Sequence, residues 1–310
     1  MKLLVLYGGA SFEHDISLIS ASNVVKTLKN LKYEFDKVYI SKENIWYFVK
    51  DNNKVELLNI IEFLKKYDLI LPIMHGAFGE DGRLQAFLEL FNIKYIGSNS
   101  VASMISMDKY LTKVLIEKHS INQVPYFVLN KNEKINSNME FPLIVKPANG
   151  GSSIGINIAK NKKELKEAVK NAFKYDSKVI VEKFIKAREF ECAIVENKNL
   201  IVSNVGEIKY NHEFYDFTAK YEDNSEMIIP AKIKKDLIKK IQNEALEIFK
   251  ILALKGFARI DFLYDEKEDI LYFNEVNTIP GFTEKSMFPL LFKDKHLNFE
   301  KLLKMIIEKN

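Results

Sequence analysis

The sequence predicts a mixed fold of α/β and α+β type that is divided into three domains, the first of them an open parallel α/β sheet. Three observations lead to this prediction. The chain has 310 residues, which is more than one compact hydrophobic core usually holds. Its N-terminal third alternates short apolar runs with helical patterns, whereas later apolar runs follow one another across short loops. The predicted domains are residues 1–98, 99–183 and 184–310.

Composition limits the class of protein. Hydrophobic residues make up 47% of the chain, enough to bury a sizeable core, yet no apolar run approaches the roughly 18 to 20 residues of a membrane span. The apolar part of the N-terminus is too short for a signal peptide, and the single cysteine, Cys192, excludes an internal disulfide framework. The net charge of +4 arises from interspersed basic and acidic residues. We therefore expect a cytoplasmic enzyme or binding protein, with neither nucleic acid nor a membrane as its partner.

Arginine is rare in a chain that is rich in lysine. Among 46 basic residues, the arginines are Arg83, Arg188 and Arg259. A planar guanidinium makes two parallel hydrogen bonds to a carboxylate or phosphate, which an ammonium group cannot do. These three positions are therefore candidates for specific polar contacts.

The first domain begins with an apolar strand over residues 3–7 and a Gly-Gly turn. The next segment has apolar residues at helical spacing, namely Ile16, Ile19, Val24, Leu28 and Leu31. Strands are predicted over 37–40 and 45–49. The run 68–74 is continuously apolar, as in parallel sheets covered on both faces, and another helix follows it. Because ligands usually bind at the carboxyl ends of such strands, His75 is a functional candidate.

The second and third domains are predicted from the same kind of pattern. The second opens with a long helical stretch from residue 98. Its further elements are strands over 124–129, 141–146, 154–159 and 178–185 and a helix over 162–173. The third contains strands over 189–195, 257–264 and 270–276, a helix over about 234–252, a polar segment over 210–227 and a C-terminal helix with Phe299, Leu302, Leu303 and Ile306 on its apolar face.

A glycine-rich loop, KPANGGSSIG at 146–155, lies between two predicted strands. A linker would be flanked by solvated sequence, so a strand–loop–strand hairpin is the better interpretation. The Walker phosphate loop needs a lysine after the glycines and a helix behind it, and the Rossmann fingerprint also needs a helix, so neither matches. A hairpin of this kind can still wrap phosphate oxygens with backbone N–H groups, and Lys146 adds a positive charge.

Four polar residues fall on two neighbouring predicted strands. Arg259 and Asp261 share one face of their strand, as Glu275 and Asn277 do on theirs. If the two strands pair as a hairpin, the four side chains converge. Three of them offer oxygen atoms of the kind that Mg²⁺ prefers. The alternative is a cross-strand salt bridge on a solvated face.

Two acidic stretches allow two interpretations each. Glu13 to Ser17 follows the first glycine turn, where Asp15 or Ser17 can cap a helix or a carboxylate can bind an ammonium group. Residues 80–83, Glu-Asp-Gly-Arg, precede another helix, and a capping role is as consistent with them as a functional one. The local sequence does not separate these alternatives.

Taken together, the motifs resemble those of the D-alanine–D-alanine ligases, which are ATP-grasp enzymes. The resemblance covers essentially the whole chain. In order, the motifs are Glu-His-Asp-Ile-Ser at 13–17, His-Gly-x-x-Gly-Glu-Asp-Gly at 75–82, Met-Asp-Lys at 107–109, the hairpin after Lys-Pro at 146–147, Val-Glu-Lys-Phe-Ile at 181–185, Tyr-Asp-Phe-Thr-Ala-Lys-Tyr at 215–221, Arg-Ile-Asp at 259–261, Asn-Glu-Val-Asn at 274–277 and Pro-Gly-Phe-Thr at 280–283.

The resemblance implies a three-domain ATP-grasp fold and the ATP-dependent ligation of two D-alanines for peptidoglycan synthesis. In this family the carboxylate of one D-alanine takes the γ-phosphate of ATP, and the amine of a second D-alanine displaces phosphate from the acylphosphate. Such chemistry depends on placing cations around developing negative charge. ATP and two Mg²⁺ ions, for which Mn²⁺ can substitute, are the implied cofactors. A homodimer is expected from the family alone.

The resemblance also implies individual roles. The nucleotide is assigned to Lys109, Lys146, Ser153, Glu182, Lys183, Phe184, Ile185, Glu189, Lys220, Phe273 and Asn274. The two metal ions are assigned to Asp261, Glu275 and Asn277. The developing oxyanion is assigned to Arg259 and the backbone N–H of Gly281, and the substrates to Glu13, His75, Ser286 and Met287, with Arg259 and Gly281. Ser152 and Tyr221 are expected to join Glu13 in a hydrogen-bonded closure under a lid formed by 210–227.

Two alternatives remain open at this point. One is an ATP-grasp ligase with another acceptor, such as D-lactate or a different amino acid, although Tyr221 favours an amine. The other is a nucleotide-binding homologue without catalysis, against which the presence of Asp261, Glu275, Asn277 and Arg259 argues. Phe217 and Phe282 depart from the residues that are common in the family but keep an apolar contact.

Overall fold

The computed structural model describes residues 1–51, 53–209, 226–293 and 295–309. Its strands form three separate sheets, which follow one another along the chain. None of the helices in these ranges is long and apolar enough to cross a membrane.

The first sheet has the strand order β4-β3-β2-β1-β5. Its strands are β1 (Lys2–Gly8), β2 (Glu34–Ile40), β3 (Trp46–Lys50), β4 (Asn53–Glu56) and β5 (Leu69–Ile73). The prediction of an open parallel sheet is confirmed for β1, which pairs in parallel with β2 and β5. The strands β3 and β4 add an antiparallel edge. Every residue of β5 is buried, which explains its continuous apolar run.

Three helices connect these strands or follow them. They are α1 (His14–Asn30), α2 (Ile60–Leu64) and α3 (Arg83–Leu90). Helix α1 buries one stripe of residues, including Ala21, Val24 and Leu28, against the sheet. It begins directly after Glu13, so the carboxyl end of β1 and the start of α1 together fix the position of that residue.

The helical stretch predicted from residue 98 consists of two helices, α4 (Ser100–Met107) and α5 (Lys109–Ile116). Asp108 interrupts it, because its backbone is extended and its side chain accepts hydrogen bonds from the N–H groups of Tyr110 and Leu111. The interruption leaves Lys109 at the first position of α5.

The second sheet is antiparallel and has the order β6-β9-β7-β8. Its strands are β6 (Tyr126–Asn130), β7 (Leu143–Pro147), β8 (Asn157–Ala159) and β9 (Lys178–Lys183). Helix α6 (Lys162–Ala172) covers one face and completes a separate hydrophobic core with it.

The third sheet is also antiparallel, with the order β12-β11-β10-β13-β14. Its strands are β10 (Arg188–Glu196), β11 (Leu200–Lys209), β12 (Glu226–Ile228), β13 (Phe257–Asp265) and β14 (Ile270–Asn277). Helix α7 (Lys235–Ile251) packs on one face. Residues Ala102 of α4 and Ile116 of α5 belong to the same core.

The other face of the third sheet shares a core with the first sheet. Helices α8 (Met287–Lys293) and α9 (Phe299–Lys309) lie in it, and buried side chains of β1, β5 and β10 join them. The first and third sheets are therefore coupled through apolar packing. The domain boundaries after residues 98 and 183 stay a prediction, with the first, second and third sheets lying in the ranges 2–73, 126–183 and 188–277.

We expect Phe288→Ala to lower the free energy of unfolding by about 3 to 5 kcal/mol, the usual cost of emptying a buried aromatic site. Phe288 is fully buried, and its ring centroid lies 5.6 Å from that of Phe257 and 5.3 Å from that of Phe282. Urea unfolding measures the change. The control is Leu58→Ala, a residue that is 93% exposed, for which a change within about 0.5 kcal/mol is expected. Equal losses in the two variants would contradict the shared core.

Candidate active site

A cavity lies where the three sheets meet. Its wall contains residues from the parts of the chain that form or adjoin each of the three sheets, and many of these residues are acidic or small. The lining includes Glu13, Glu80, Lys109, Ser152, Glu275 and Asn277.

The glycine-rich loop forms one side of this cavity. Strands β7 and β8 pair as an antiparallel hairpin around it, with Val145 opposite Asn157, which confirms the strand–loop–strand prediction. Gly150, Ser152 and Ser153 have positive φ angles of 141°, 52° and 57°. Left-handed residues in series occur in turns whose N–H groups bind anions, and for serine this conformation is uncommon.

The start of helix α5 anchors the base of the loop. The backbone N–H of Lys109 donates to the carbonyl of Ala148 at 2.9 Å, and its Nζ donates to the carbonyl of Gly150 at 2.7 Å. The same Nζ lies 3.6 Å from Oε2 of Glu275. Lys109 therefore joins the loop to strand β14.

A buried cluster of three charges lies at the foot of the hairpin. Lys146 Nζ is 2.6 Å from Oε2 of Glu182, and Lys113 Nζ is 2.7 Å from Oε1 of the same carboxylate. Although burial opposes ionisation, the two ammonium groups lower the pKa of Glu182 to about 2. The sequence prediction included Lys146 and Glu182 but missed Lys113. The only sequence signal for Lys113 is its position four residues, or one helical turn, after Lys109.

The other predicted nucleotide residues lie along the connection between the second and third sheets. Lys183 ends β9, Phe184 and Ile185 follow it, and Glu189 lies on β10. The Phe184 N–H donates to the carbonyl of Pro142 at 3.0 Å, which holds this connection beside β7. Three further predicted nucleotide residues lie elsewhere: Ser153 in the loop, and Phe273 and Asn274 on β14, where Phe273 is buried.

Strands β13 and β14 bring the predicted metal residues together. Arg259 pairs with Asn277 and Asp261 pairs with Glu275, which confirms the predicted hairpin. The Nε and Nη2 atoms of Arg259 each donate to Asp261 at 2.8 Å, and Asn277 Nδ2 donates to Asp261 Oδ2 at 2.9 Å. Asp261 is buried and Arg259 nearly so, so these residues are not on a solvated face.

Glu191, on the neighbouring strand β10, was not predicted. Its Oε2 lies 3.0 Å from Arg259 Nε. Burial opposes the charge on Arg259, but the carboxylates of Asp261 and Glu191 raise its pKa above the usual value. The guanidinium is thus held in place from two strands.

The donor set of Asp261, Glu275 and Asn277 fits a hard cation in chemical terms, since all three supply oxygen atoms. It contains two carboxylates and one amide. In the described part of the chain, no group of three or more His, Cys, Asp and Glu residues is arranged to hold a metal ion.

Glu13 lies on the opposite side of the cavity, against the loop. The Ser152 hydroxyl donates to Oε1 of Glu13, so the structure brings together two of the three residues expected to form the closure. Glycines flank the carboxylate. A Cβ atom at Gly76 would lie 2.5 Å from Glu13 Oε2, and one at Gly151 would lie 3.0 Å from it. Glycine at these two positions therefore leaves room for the Glu13 carboxylate.

His75 is buried next to Gly76, which lines the cavity, and both of its ring nitrogens have a polar contact. Nδ1 lies 2.8 Å from the carbonyl of Ile279 and Nε2 lies 3.0 Å from the hydroxyl of Ser20. Burial lowers the pKa of His75, although Glu13 opposes this effect. A neutral imidazole with Nδ1 as donor and Nε2 as acceptor satisfies both contacts. A direct contact between His75 and substrate stays a prediction.

Glu80 binds the backbone of the same residue, Ile279, at its N–H group. Its Oε1 accepts from the N–H of Ile279 at 2.7 Å, and its Oε2 accepts from the N–H of Gly76 at 2.8 Å. Burial, aided by the nearby carboxylate of Glu13, raises the pKa of Glu80 to about 8. The sequence alone did not decide between helix capping and another role for residues 80–83. The structure shows that Glu80 connects the loop after β14 to the loop after β5.

Three residues predicted to contact the substrates or the oxyanion follow Ile279 in the chain: Gly281, Ser286 and Met287. The side chain of Ser286 accepts from the N–H of Thr283 at 3.1 Å and lies so close to Gly281 that a Cβ there would be 2.7 Å from its Oγ. Met287 begins α8, and its side chain is buried in the shared core. Lys220, Tyr221, Phe217 and the predicted lid up to residue 225 lie outside the described residues.

Family models for two regions match almost the entire chain. The model described as D-ala D-ala ligase N-terminus matches residues 2–60 and 49–98, and the model described as D-ala D-ala ligase C-terminus matches residues 115–308. The chain is 38% identical to a D-alanine–D-alanine ligase of Caldicellulosiruptor bescii, over 100% of this chain and 96% of the relative. It is 36% identical to that of Clostridium acetobutylicum, over 99% and 97%.

Solved structures give the same result. The VanG D-Ala:D-Ser ligase from Enterococcus faecalis has a TM-score of 0.89 and 33% identity, over 99% of this chain and 98% of that one. The D-alanine–D-alanine ligase from Coxiella burnetii has a TM-score of 0.85 and 31% identity, over 100% and 93%. These likenesses confirm the predicted ATP-grasp fold.

The raised pKa of Glu80 predicts a pH dependence of stability. Between its ordinary pKa near 4.5 and about 8, the folded state keeps a proton that the unfolded state releases, so stability falls as the pH rises. We expect the free energy of unfolding to fall by up to about 1.4 kcal/mol per pH unit more steeply in the wild type than in Glu80→Gln. Urea unfolding between pH 5.5 and 7.5 measures this difference.

The matched control is Glu56→Gln on the exposed strand β4. Its slope should equal that of the wild type. If Glu80→Gln also gave the wild-type slope, a proton held by Glu80 in the folded state would be excluded.

Proposed function

The chain belongs to the D-alanine–D-alanine ligase family, and we propose that it joins two D-alanines to form D-alanyl-D-alanine, converting ATP to ADP and phosphate. The observation that carries this proposal is the convergence on one cavity of Lys109 and the glycine-rich loop from the second domain, Glu275 and Asn277 from the third, and Glu13 from the first. This arrangement matches a substrate with an ammonium end and a phosphate-bearing end.

In the first step, a D-alanine carboxylate attacks the γ-phosphate. Lys109 and Lys146 are placed beside the glycine-rich loop, where they would neutralise the phosphate oxygens as the bond to ADP breaks. The loop lies over the same region, and its N–H groups would add hydrogen bonds. We assign Lys220, from the segment outside the described residues, to the γ-phosphate on the basis of the family resemblance alone.

Asp261, Glu275 and Asn277 would hold the divalent metal ions, and Mg²⁺ or Mn²⁺ bound there would neutralise phosphate charge. In the structure described here, Asp261 accepts from Arg259 and Asn277, and Glu275 lies near Lys109. These contacts hold the oxygen donors on one face of the β13–β14 hairpin.

In the second step, the amine of the second D-alanine attacks the acylphosphate carbonyl, and a tetrahedral oxyanion forms. Arg259 and the N–H of Gly281 are our candidates for stabilising that charge. Asp261 and Glu191 fix the guanidinium before the reaction, which limits the reorganisation needed when charge develops.

The amino acid substrates would bind between the first and third sheets. Glu13 would receive the ammonium group of the first D-alanine, and its hydrogen bond from Ser152 would couple that binding to the loop. His75 would act nearby. Ser286 and the backbone of Met287 would bind the carboxylate of the second D-alanine, and Tyr221 would complete the closure.

The nucleotide base would lie along the connection between the second and third sheets. Lys183, Phe184 and Ile185 form this connection, with Glu182 before it and Glu189 after it for the ribose. From the family we further propose a homodimer that acts in the cytoplasm and supplies peptidoglycan synthesis.

The decisive experiment measures ATP-dependent phosphate release and dipeptide formation by the purified full chain with D-alanine alone. We expect both products in the presence of Mg²⁺, their loss after treatment with EDTA, and their recovery when Mg²⁺ or Mn²⁺ is added. Parallel assays with D-serine and D-lactate test other acceptors. The D-serine assay matters because one structurally similar protein is a D-Ala:D-Ser ligase. No phosphate release with D-alanine would refute the proposal.

We expect Arg259→Ala and Asp261→Asn each to lower kcat by about 10² to 10³, as is usual when a positioned charge is removed from a transition state. Steady-state kinetics with D-alanine and ATP measures the effect. Lys267→Ala, in the exposed β13–β14 turn, should leave kcat unchanged. Undiminished turnover in either site variant would show that its role is assigned wrongly.

A further inference from the structure

Lys113 is a buried lysine that the mechanism above does not use. Its side chain is 2% exposed, and its ammonium group lies 2.7 Å from Glu182 Oε1. The Tyr126 ring centroid lies 5.0 Å from the same Nζ. Lysine is among the residues least often fully buried, because removing its charge from water is costly. Its burial beside the nucleotide site therefore calls for a functional explanation.

The charges of the cluster give that explanation. Lys146 and Glu182 alone form a pair with no net charge, because the carboxylate cancels the ammonium group 2.6 Å away. Lys113 binds the other carboxylate oxygen, so two positive groups and one negative group leave a net charge of +1. A neutral pair attracts phosphate weakly, whereas a cluster with net positive charge attracts it strongly in a site shielded from water.

We propose that Lys113 is a positioning residue that neutralises Glu182, so that the positive charge of Lys146 remains available to the nucleotide phosphates. This inference rests on the proposed function, because it takes Lys146 as a phosphate-binding group. It adds to that function a residue that contacts Glu182 rather than the nucleotide.

Burial and the neighbouring charges shift the pKa values of all three groups in the cluster. The pKa of Glu182 is about 2, so its carboxylate is ionised. Burial opposes the charge on Lys146, but Glu182 raises its pKa above the usual value. Burial lowers the pKa of Lys113, and Glu182 opposes that effect.

The fold supplies Lys113 from the same helix as Lys109. Both residues lie on α5, one helical turn apart; Lys109 donates to Gly150 of the loop and Lys113 contacts Glu182 of β9. Gln123 donates to the carbonyl of Lys113 at 2.9 Å, which fixes the end of the helix. One short helix thus carries one cation at the glycine-rich loop and another behind Glu182.

The role can be separated from simple structural support by the number of phosphates on the ligand. Loss of a structural contact would weaken adenosine and ATP alike, because both use the same base pocket. Loss of a net charge would weaken a ligand in proportion to its phosphate charge. Binding of adenosine, AMP, ADP and a non-hydrolysable ATP analogue to the full-length chain, measured by calorimetry, distinguishes the two.

We expect Lys113→Met to weaken ADP and the ATP analogue by about 10-fold to 100-fold and adenosine by less than about threefold. Lys113→Gln, which keeps a hydrogen-bond donor but no charge, should give the same pattern and serves if Lys113→Met does not fold. Lys113→Arg should stay within about threefold of the wild type for all four ligands. Lys118→Met, at an exposed lysine just after α5, is the matched control and should change nothing.

A double variant provides the stronger test. Removing Glu182 as well, in Lys113→Met/Glu182→Gln, leaves Lys146 alone with its charge uncancelled. The ratio of ATP-analogue affinity to adenosine affinity should then return towards that of the wild type, even if both affinities are lower. Equal losses for adenosine and ADP in Lys113→Met and Lys113→Gln, or no recovery of the ratio in the double variant, would overturn the inference. If the wild type bound adenosine but gained nothing from added phosphates, the proposed function would itself fail.

Discussion

The backbone of Ile279 is the point at which the first and third sheets are held together beside the cavity. Glu80 accepts from its N–H and His75 lies 2.8 Å from its carbonyl oxygen, so a single residue is held from both sides by the loop after β5. Ser20 adds a third bond by accepting from the N–H of Phe282 at 3.3 Å. Because Ile279 follows β14 by two residues, this clamp sets the distance between Gly281 and the side chains of Glu275 and Asn277.

The shared apolar core makes the clamp possible. Buried polar groups are stable only where every donor finds an acceptor, and the packing of α1, α8 and α9 keeps water away from these bonds. The Phe282 ring belongs to that core, and its backbone belongs to the clamp. The short segment from Ile279 to Phe282 thus contributes both to the packing of the core and to the position of the loop after β14.

The sequence predicted the parts of the site that lie on regular strands. Alternation placed Arg259, Asp261, Glu275 and Asn277 on one face, and the hairpin register brings them together. It gave no signal for β4, because all four of its residues are exposed and none alternates between core and solvent. It also missed the break at Asp108, since the pattern of apolar residues continues through a capping side chain.

Glu80, Lys113 and Glu191 were harder to predict for another reason. Each is a buried ionisable residue whose partner is far away in sequence, at Ile279, Glu182 and Arg259 respectively. Glu191 is the one carboxylate among the buried and otherwise apolar residues 190–195 of β10, which makes it conspicuous in the sequence. Only the fold shows that Arg259 lies on the adjacent strand. Local periodicity predicts which face of a helix or strand a residue occupies. It does not predict which charged residue of another element lies beside it.

The three arginines show how the chain divides its basic residues. Arg259 donates from two nitrogens to both oxygens of Asp261, and Arg188 donates from two nitrogens to both oxygens of Glu207. The guanidinium of Arg83 stacks at 4.5 Å from the Phe78 ring centroid. Planar geometry is required at all three positions, whereas Lys109, Lys113 and Lys146 act as point charges on a carbonyl or a carboxylate. Arginine is therefore found where the direction of the contact matters, and lysine where charge alone is sufficient, which explains why a chain so rich in lysine keeps arginine at residue 259.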